Sequence, residues 1–210
     1  MADYKHVSAH HQEFVARYVL PAGLADALKS ATTAPNSVPV ALRGLRQWLR
    51  LHILAPDLVT MPSQAVDMLW AAFRHNTEAY AEFCKHSNGL LHHGPRSAGD
   101  DAPPGSSQAA ALTYAMACED EGLRIKYPPK LPILFTVDEA VQLPDGQLWM
   151  LNCEHEVCAV PAGRRCVRHE LIPRVPDELP KQVRFDVPPD YEYHDAPSGS
   201  PMMIAPYGDI

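Results

Sequence analysis

Long hydrophobic runs are missing from this chain. No stretch of 18 apolar residues occurs in its 210 positions, so no segment is built to cross a bilayer as a helix. The opening residues 1–11 are polar and lack the apolar centre of a secretory signal. Positive charge is also short, with 18 Lys and Arg against 25 Asp and Glu and a formal net charge of −7. That balance argues against a protein that binds nucleic acid by neutralising phosphates. Arg43, Arg46 and Arg50 recur on one helical face, and the expectation for them is a solvated face. No Gly-rich phosphate loop and no G-x-S-x-G turn is present. Cysteine is limited to five residues. An odd count without a secretory signal points to a reducing compartment, and to free thiols or metal ligands in place of a disulfide framework. The expectations are a cytoplasmic protein with neither a membrane nor a nucleic-acid partner.

What is present is helical periodicity, followed by proline. Apolar residues at spacings of three and four predict helices over 8–20, 24–31 and 39–54. Ser63 reads as the N-cap of a long helix over 64–88 that buries Val66, Leu69, Trp70, Phe73, Thr77, Tyr80, Phe83 and Cys84. A further helix covers 109–123, with Leu112, Ala115 and Met116 inward and Gly122 near its end. Past Pro132 the pattern shortens. Pro144-Asp145-Gly146 is a turn, 147–152 a strand, and 157–160 with 166–171 read as a hairpin about Pro161-Ala162-Gly163-Arg164. From Pro173 onward there are eight prolines in 38 residues, an extended arm that lies on something or stays loose. The reading is a mainly α protein. A helical bundle-like domain (1–125) precedes a small β-hairpin subdomain (126–172) and an extended Pro-rich C-terminal arm (173–210).

Pro62, Ser63, Asp67, Trp70, Thr77, Tyr80, Phe83, Cys84, His92, His93 and Pro95 share one segment, MPSQAVDMLWAAFRHNTEAYAEFC followed by GLLHHGP. This pattern resembles the signature of the glycine-rich domain-containing protein-like family, and the resemblance extends over residues 38–152. It implies a histidine directly after the tryptophan, one helical turn from Asp67, where the two could hold a metal or act as an acid–base pair. This chain has Ala71 there. The first candidate site is therefore Asp67, His75, His92 and His93. The alternative is that Asp67 bonds to nearby backbone and the histidines pack at the helix end.

The second constellation is Cys153-x4-Cys158-x7-Cys166-x2-His169, with His155 inside it. Thiolates and imidazole within so few residues suit tetrahedral zinc. A regular hairpin would split the set, leaving Cys158 with Cys166 on one face and Cys153, His155 and His169 on the other. A bulge could reunite four ligands. Buried free cysteines, or an oxidisable Cys158–Cys166 pair, stand as the other readings. Cys84 on an apolar helix face and Cys118 among acidic neighbours read as inert thiols.

Three functions follow. The first is a non-catalytic binding or adaptor protein with a structural zinc hairpin, meeting a protein partner through its C-terminal arm. The second is a metal-dependent enzyme using the 63–88 helix and the histidine pair. The third is a subunit of a larger assembly. The gap at Ala71 leans the reading away from an enzyme.

Overall fold

The computed structural model describes residues 9–32, 34, 38–56, 58–87, 106–153, 158, 160–181 and 183–186. Among these the chain forms α1 (Ala9–Arg17), α2 (Asp26–Lys29), α3 (Val38–Leu54), α4 (Gln64–His75), α5 (Thr77–His86) and α6 (Ser106–Asp120). Then come α7 (Val137–Ala140), β1 (Leu148–Met150), β2 (Arg164–Cys166) and α8 (Val167–Glu170), with 3-10 turns at Ile133–Phe135 and Ile172–Arg174. The mainly helical expectation holds.

Helix α3 is the hub. Its apolar face is broad and most of its residues from Ala41 to Leu54 are buried, with Arg43 and Arg46 half-buried at its edge. It packs against α1, α4, α6, α7 and the 133–135 turn. Gly44 permits the closest approach. A Cβ there would lie 2.5 Å from Val137 Cγ2 and 3.0 Å from Val66 Cγ2. Helix α6 is enclosed in the same way, with Ala111 and every residue from Thr113 to Cys118 fully buried. Tyr114 meets Phe135 edge-on at 5.5 Å, and Phe135 meets Trp149 at 5.3 Å. One apolar core therefore runs from Val15 in α1 to Val167 and Leu171 beyond the strands.

Burial of Arg50 corrects the expected solvated arginine face at that position, while Arg43 and Arg46 are half-buried. Arg50 is 3% exposed, and its Nε and Nη2 donate to Asp120 Oδ1 at 2.9 and 2.8 Å. Gln47 Nε2 donates to Glu121 Oε1 at 3.0 Å, while Gln47 Oε1 accepts from Leu134 N at 2.9 Å. The pair thus joins α3, α6 and the 133–135 turn. Burial pushes the Asp120 carboxyl up, and the Arg50 charge pulls it back. The half-buried Arg46 donates to Ala16 O at 3.2 Å.

The long helix expected over 64–88 is two helices. Asn76 ends α4, its N–H bonding to Ala72 O and Phe73 O, and its Oδ1 accepts from Ala79 N at 3.3 Å to begin α5. Asparagine competes for backbone donors in this way and so interrupts a periodic pattern. Phe73 and Phe83 stay in the core across the break, 5.4 Å apart, whereas Thr77 is exposed. At the start of α4, Ser63 Oγ accepts from Val66 N at 3.2 Å, as an N-cap should. Buried Asp138 of α7 reinforces that end. It accepts from Ser63 Oγ at 2.6 Å, Ala65 N and Gln64 N at 2.9 Å, and Gln147 N at 2.7 Å.

The expected hairpin does not form. β1 and β2 pair in parallel, with Leu148 opposite Arg164, Trp149 opposite Arg165 and Met150 opposite Cys166. The connection over 151–163 has about the dozen residues that a parallel crossover requires. Gly163, at φ 81°, closes a turn in which Arg164 N donates to Pro161 O at 3.0 Å. Only glycine adopts that conformation without strain. Residues 167–170 are helical, so no second hairpin strand exists there. Residues 157 and 159 lie outside the described residues.

The first part of the C-terminal arm returns to α1. Val183 is buried, Gln12 Nε2 donates to Arg184 O at 2.8 Å, and Asp186 N donates to Gln12 Oε1 at 3.0 Å. Residues 187–210 lie outside the described residues.

Candidate metal centre

The parallel strand pair does what a regular hairpin could not. Cys166 is the last residue of β2 and the residue from which α8 starts. His169 follows one helical turn later, a spacing that brings both side chains to the same side. Cys153 comes three residues after Met150, the register partner of Cys166. Arg168 N donates to Leu151 O at 3.2 Å, which keeps the exit of β1 alongside α8. Cys158 enters from the crossover.

The ligand atoms of Cys153, Cys158, Cys166 and His169 all lie within 4.8 Å of one another. His169 Nδ1 is 3.2 Å from Cys153 Sγ and 3.4 Å from Cys166 Sγ. A tetrahedral zinc site requires S···S edges of about 3.8 Å and S···N edges of about 3.6 Å. The two S···N separations fall just inside that edge, and the 4.8 Å bound on the set leaves room for a modest contraction of the sulfurs onto an ion. Cys153 and Cys166 are buried, His169 is half-buried and Cys158 is exposed.

The shell has support behind it. Glu170 Oε1 accepts from Cys166 N at 3.2 Å, and its Oε2 accepts from Arg165 Nε at 2.8 Å. The Arg165 guanidinium lies over the Trp149 ring at 4.4 Å, and Trp149 Nε1 donates to Pro62 O at 3.1 Å. On the other side, Arg168 Nη1 donates to Asn152 Oδ1 at 3.1 Å, beside Cys153. The Cys158 thiol is pushed up by desolvation first, then by the Cys166 and Cys153 sulfurs. A cation at the centre would reverse that repulsion and hold the sulfurs as thiolates.

Four of the five candidates in this constellation therefore meet. His155, the fifth, lies outside the described residues. All five cysteines are free thiols, and Cys84 and Cys118 are buried away from this cluster. Desolvation pushes Cys118 up to about 12, with Glu121 and Glu119 adding to the rise, which suits an inert thiol.

The other constellation is not assembled by its described members. Asp67 and His75 stand eight residues apart on α4, about 12 Å along the axis. His75 is exposed, and its Nδ1 lies 2.7 Å from Ala71 O of its own helix. His92 and His93 lie outside the described residues. Among the described residues, the group of three or more His, Cys, Asp or Glu that converges on a common point is the Cys/His cluster.

Two buried carboxylates escaped the sequence reading. Asp120 carried no local signal, because its partner Arg50 is 70 residues away and reads as one of a row of surface arginines. Asp138 carried no local signal, because its partners at residues 63–65 are distant in sequence.

Comparison with curated proteins returned no match, and comparison with solved structures returned none. A family model described as UCP032817-like does match, over residues 10–180. That span includes all of α1 but its first residue, the helical core, both strands and all four cluster residues. The chain belongs to the UCP032817-like family.

Proposed function

We propose that this is a non-catalytic binding protein whose strand pair and α8 are held by one structural zinc ion. The observation that carries the reading is the convergence of Cys153, Cys158, Cys166 and His169 within 4.8 Å. Three thiolates and an imidazole form a soft and borderline donor set that suits zinc above the hard cations. Four protein ligands fill a tetrahedral shell, which leaves no position for substrate or activated water. The region also gains from a clasp. Between residues 148 and 171 only Trp149, Cys153, Cys166, Val167 and Leu171 are buried among the described residues, so metal binding would contribute folding energy that a small core does not.

The partner we propose is a protein, met in the cytoplasm through the proline-rich segment 187–210. Its support is composition together with the dock of residues 183–186 on α1, from which that segment continues. Extended proline-rich chain loses little entropy on binding.

Elemental analysis of the reduced full-length protein tests the metal reading. One zinc per chain is expected, with loss from Cys166→Ala and His169→Ala. A reduced, folded chain that takes up no zinc on titration overturns it. Zinc retained by both variants overturns the ligand set.

A further inference from the structure

The four candidate ligands are unequal in exposure. Cys153 and Cys166 are buried, at 7% and 0% exposure, while Cys158 is exposed. Cys158 enters from the crossover, whereas Cys166 is fixed by β2, α8 and the bond from its N–H to Glu170. Its sulfur nevertheless lies within 4.8 Å of both other sulfurs. An exposed sulfur with two resolving sulfurs at hand is the arrangement of a reversible redox centre.

We propose that Cys158 is a peroxide-reactive site, and that its oxidation to a disulfide with Cys153 or Cys166 releases the metal. The proposal rests on the zinc reading above. The thiolate is the nucleophile; bound zinc would hold Cys158 in that form, and of the three cysteines only Cys158 is exposed. Its sulfur attacks one oxygen of a hydroperoxide. The O–O bond breaks, a sulfenic acid forms, and the departing oxygen leaves as water after taking a proton. A sulfenic acid is a poor zinc ligand. The neighbouring thiolate then attacks the Cys158 sulfur and expels hydroxide, which a second proton converts to water. In balance, two zinc-bound thiolates, one hydrogen peroxide and two protons give one disulfide, two waters and the zinc ion, now released. The two electrons come from the two sulfurs. Dithiol reductants reverse the step by thiol–disulfide exchange.

The consequence reaches beyond the ion. Cys166 begins α8, and Cys153 follows β1, so loss of the shared ion removes one of the links between the two strands' ends and leaves the Arg168 N to Leu151 O bond. The metal would then act as a redox-sensitive pin for the C-terminal part of the domain.

The test treats the zinc-loaded full-length chain with hydrogen peroxide. Released zinc is followed with a chromogenic chelator, and disulfides are mapped by mass spectrometry. The expected result is one disulfide per zinc released, always containing Cys158, with Cys84 and Cys118 still reduced. Dithiothreitol with added zinc should restore binding. Cys158→Ser should slow peroxide-driven release by about tenfold or more. Where that variant does not hold zinc, the metal-free native chain supplies the readout, and its first oxidation product should be a Cys158 disulfide. Disulfides that omit Cys158, zinc release without any disulfide, or zinc retained under excess peroxide each overturn the proposal. A chain that binds no zinc yet forms the Cys158 disulfide overturns the metal reading and the release step, and leaves the reactive thiol standing.

Discussion

Arg50→Met is the perturbation that most directly probes the core. Arg50 and Asp120 are almost fully buried, with side-chain exposures of 3% and 0%, and are joined by contacts of 2.8 and 2.9 Å. Methionine fills much of the arginine stem's volume, so the loss measured is mainly electrostatic. Removing one partner of a buried pair leaves the other charge unpaired, at a cost of about 3–5 kcal/mol. Against a total stability of about 5–15 kcal/mol, that is a large share. For a chain of this size it corresponds to a fall in Tm of about 6–20 °C. Urea unfolding followed by circular dichroism at 222 nm measures the loss directly. Its pH dependence has a definite direction. Burial already raises the Asp120 carboxyl above its usual value, and removal of Arg50 raises it further. A carboxyl raised in the folded state favours folding at low pH and loses that contribution as pH rises through its folded pKa. The deficit of the variant is therefore largest near about pH 7 and shrinks as pH falls towards the ordinary carboxylate range. A loss below about 1 kcal/mol at neutral pH, or a deficit that does not change with pH, would refute a buried pair of this kind.

Asp138→Asn should cost about 2–4 kcal/mol in urea unfolding, because an amide NH2 would face donors at Ser63, Gln64, Ala65 and Gln147 that now share two carboxylate oxygens. Ser63→Ala, which removes only the Val66 cap and its link to Asp138, should cost about 1 kcal/mol. A larger effect for serine than for aspartate would reverse the assigned importance. Gly44→Ala should destabilise by about 1–3 kcal/mol despite a gain in helix propensity of about 1 kcal/mol, because the added Cβ meets Val137 at 2.5 Å. A rise in Tm for that variant would show that α3 and α7 can separate freely. Zinc should raise Tm in a concentration-dependent way, and a chelator should lower it. An unchanged melting curve in both would count against a structural metal.

Much of the helical layout was legible because amphipathic periodicity is a local property. The Ser63 cap and the chain reversal at Gly122, which adopts φ 65°, were likewise readable from single residues. The exception within the helices was Asn76, whose capping of two helices interrupts a pattern that hydrophobic spacing alone makes continuous. The cluster residues were readable as a set, because thiol and imidazole chemistry is carried by residue type. Their meeting was not, since a hairpin and a parallel pair share the same β-rich pattern and differ only in which segment the last strand joins.

The sequence by itself determined most of the longer helices and the identity of the four metal-ligand candidates. Tertiary structure decided the rest. It placed 164–166 beside 148–150, and so brought Cys153 to His169 and Cys158 to both buried sulfurs. It also turned Arg50 from a surface charge into a buried one, because the packing of α6 against α3 sets Asp120 on it. Strand partnership and burial depend on which distant segments pack together, and no local spacing encodes that.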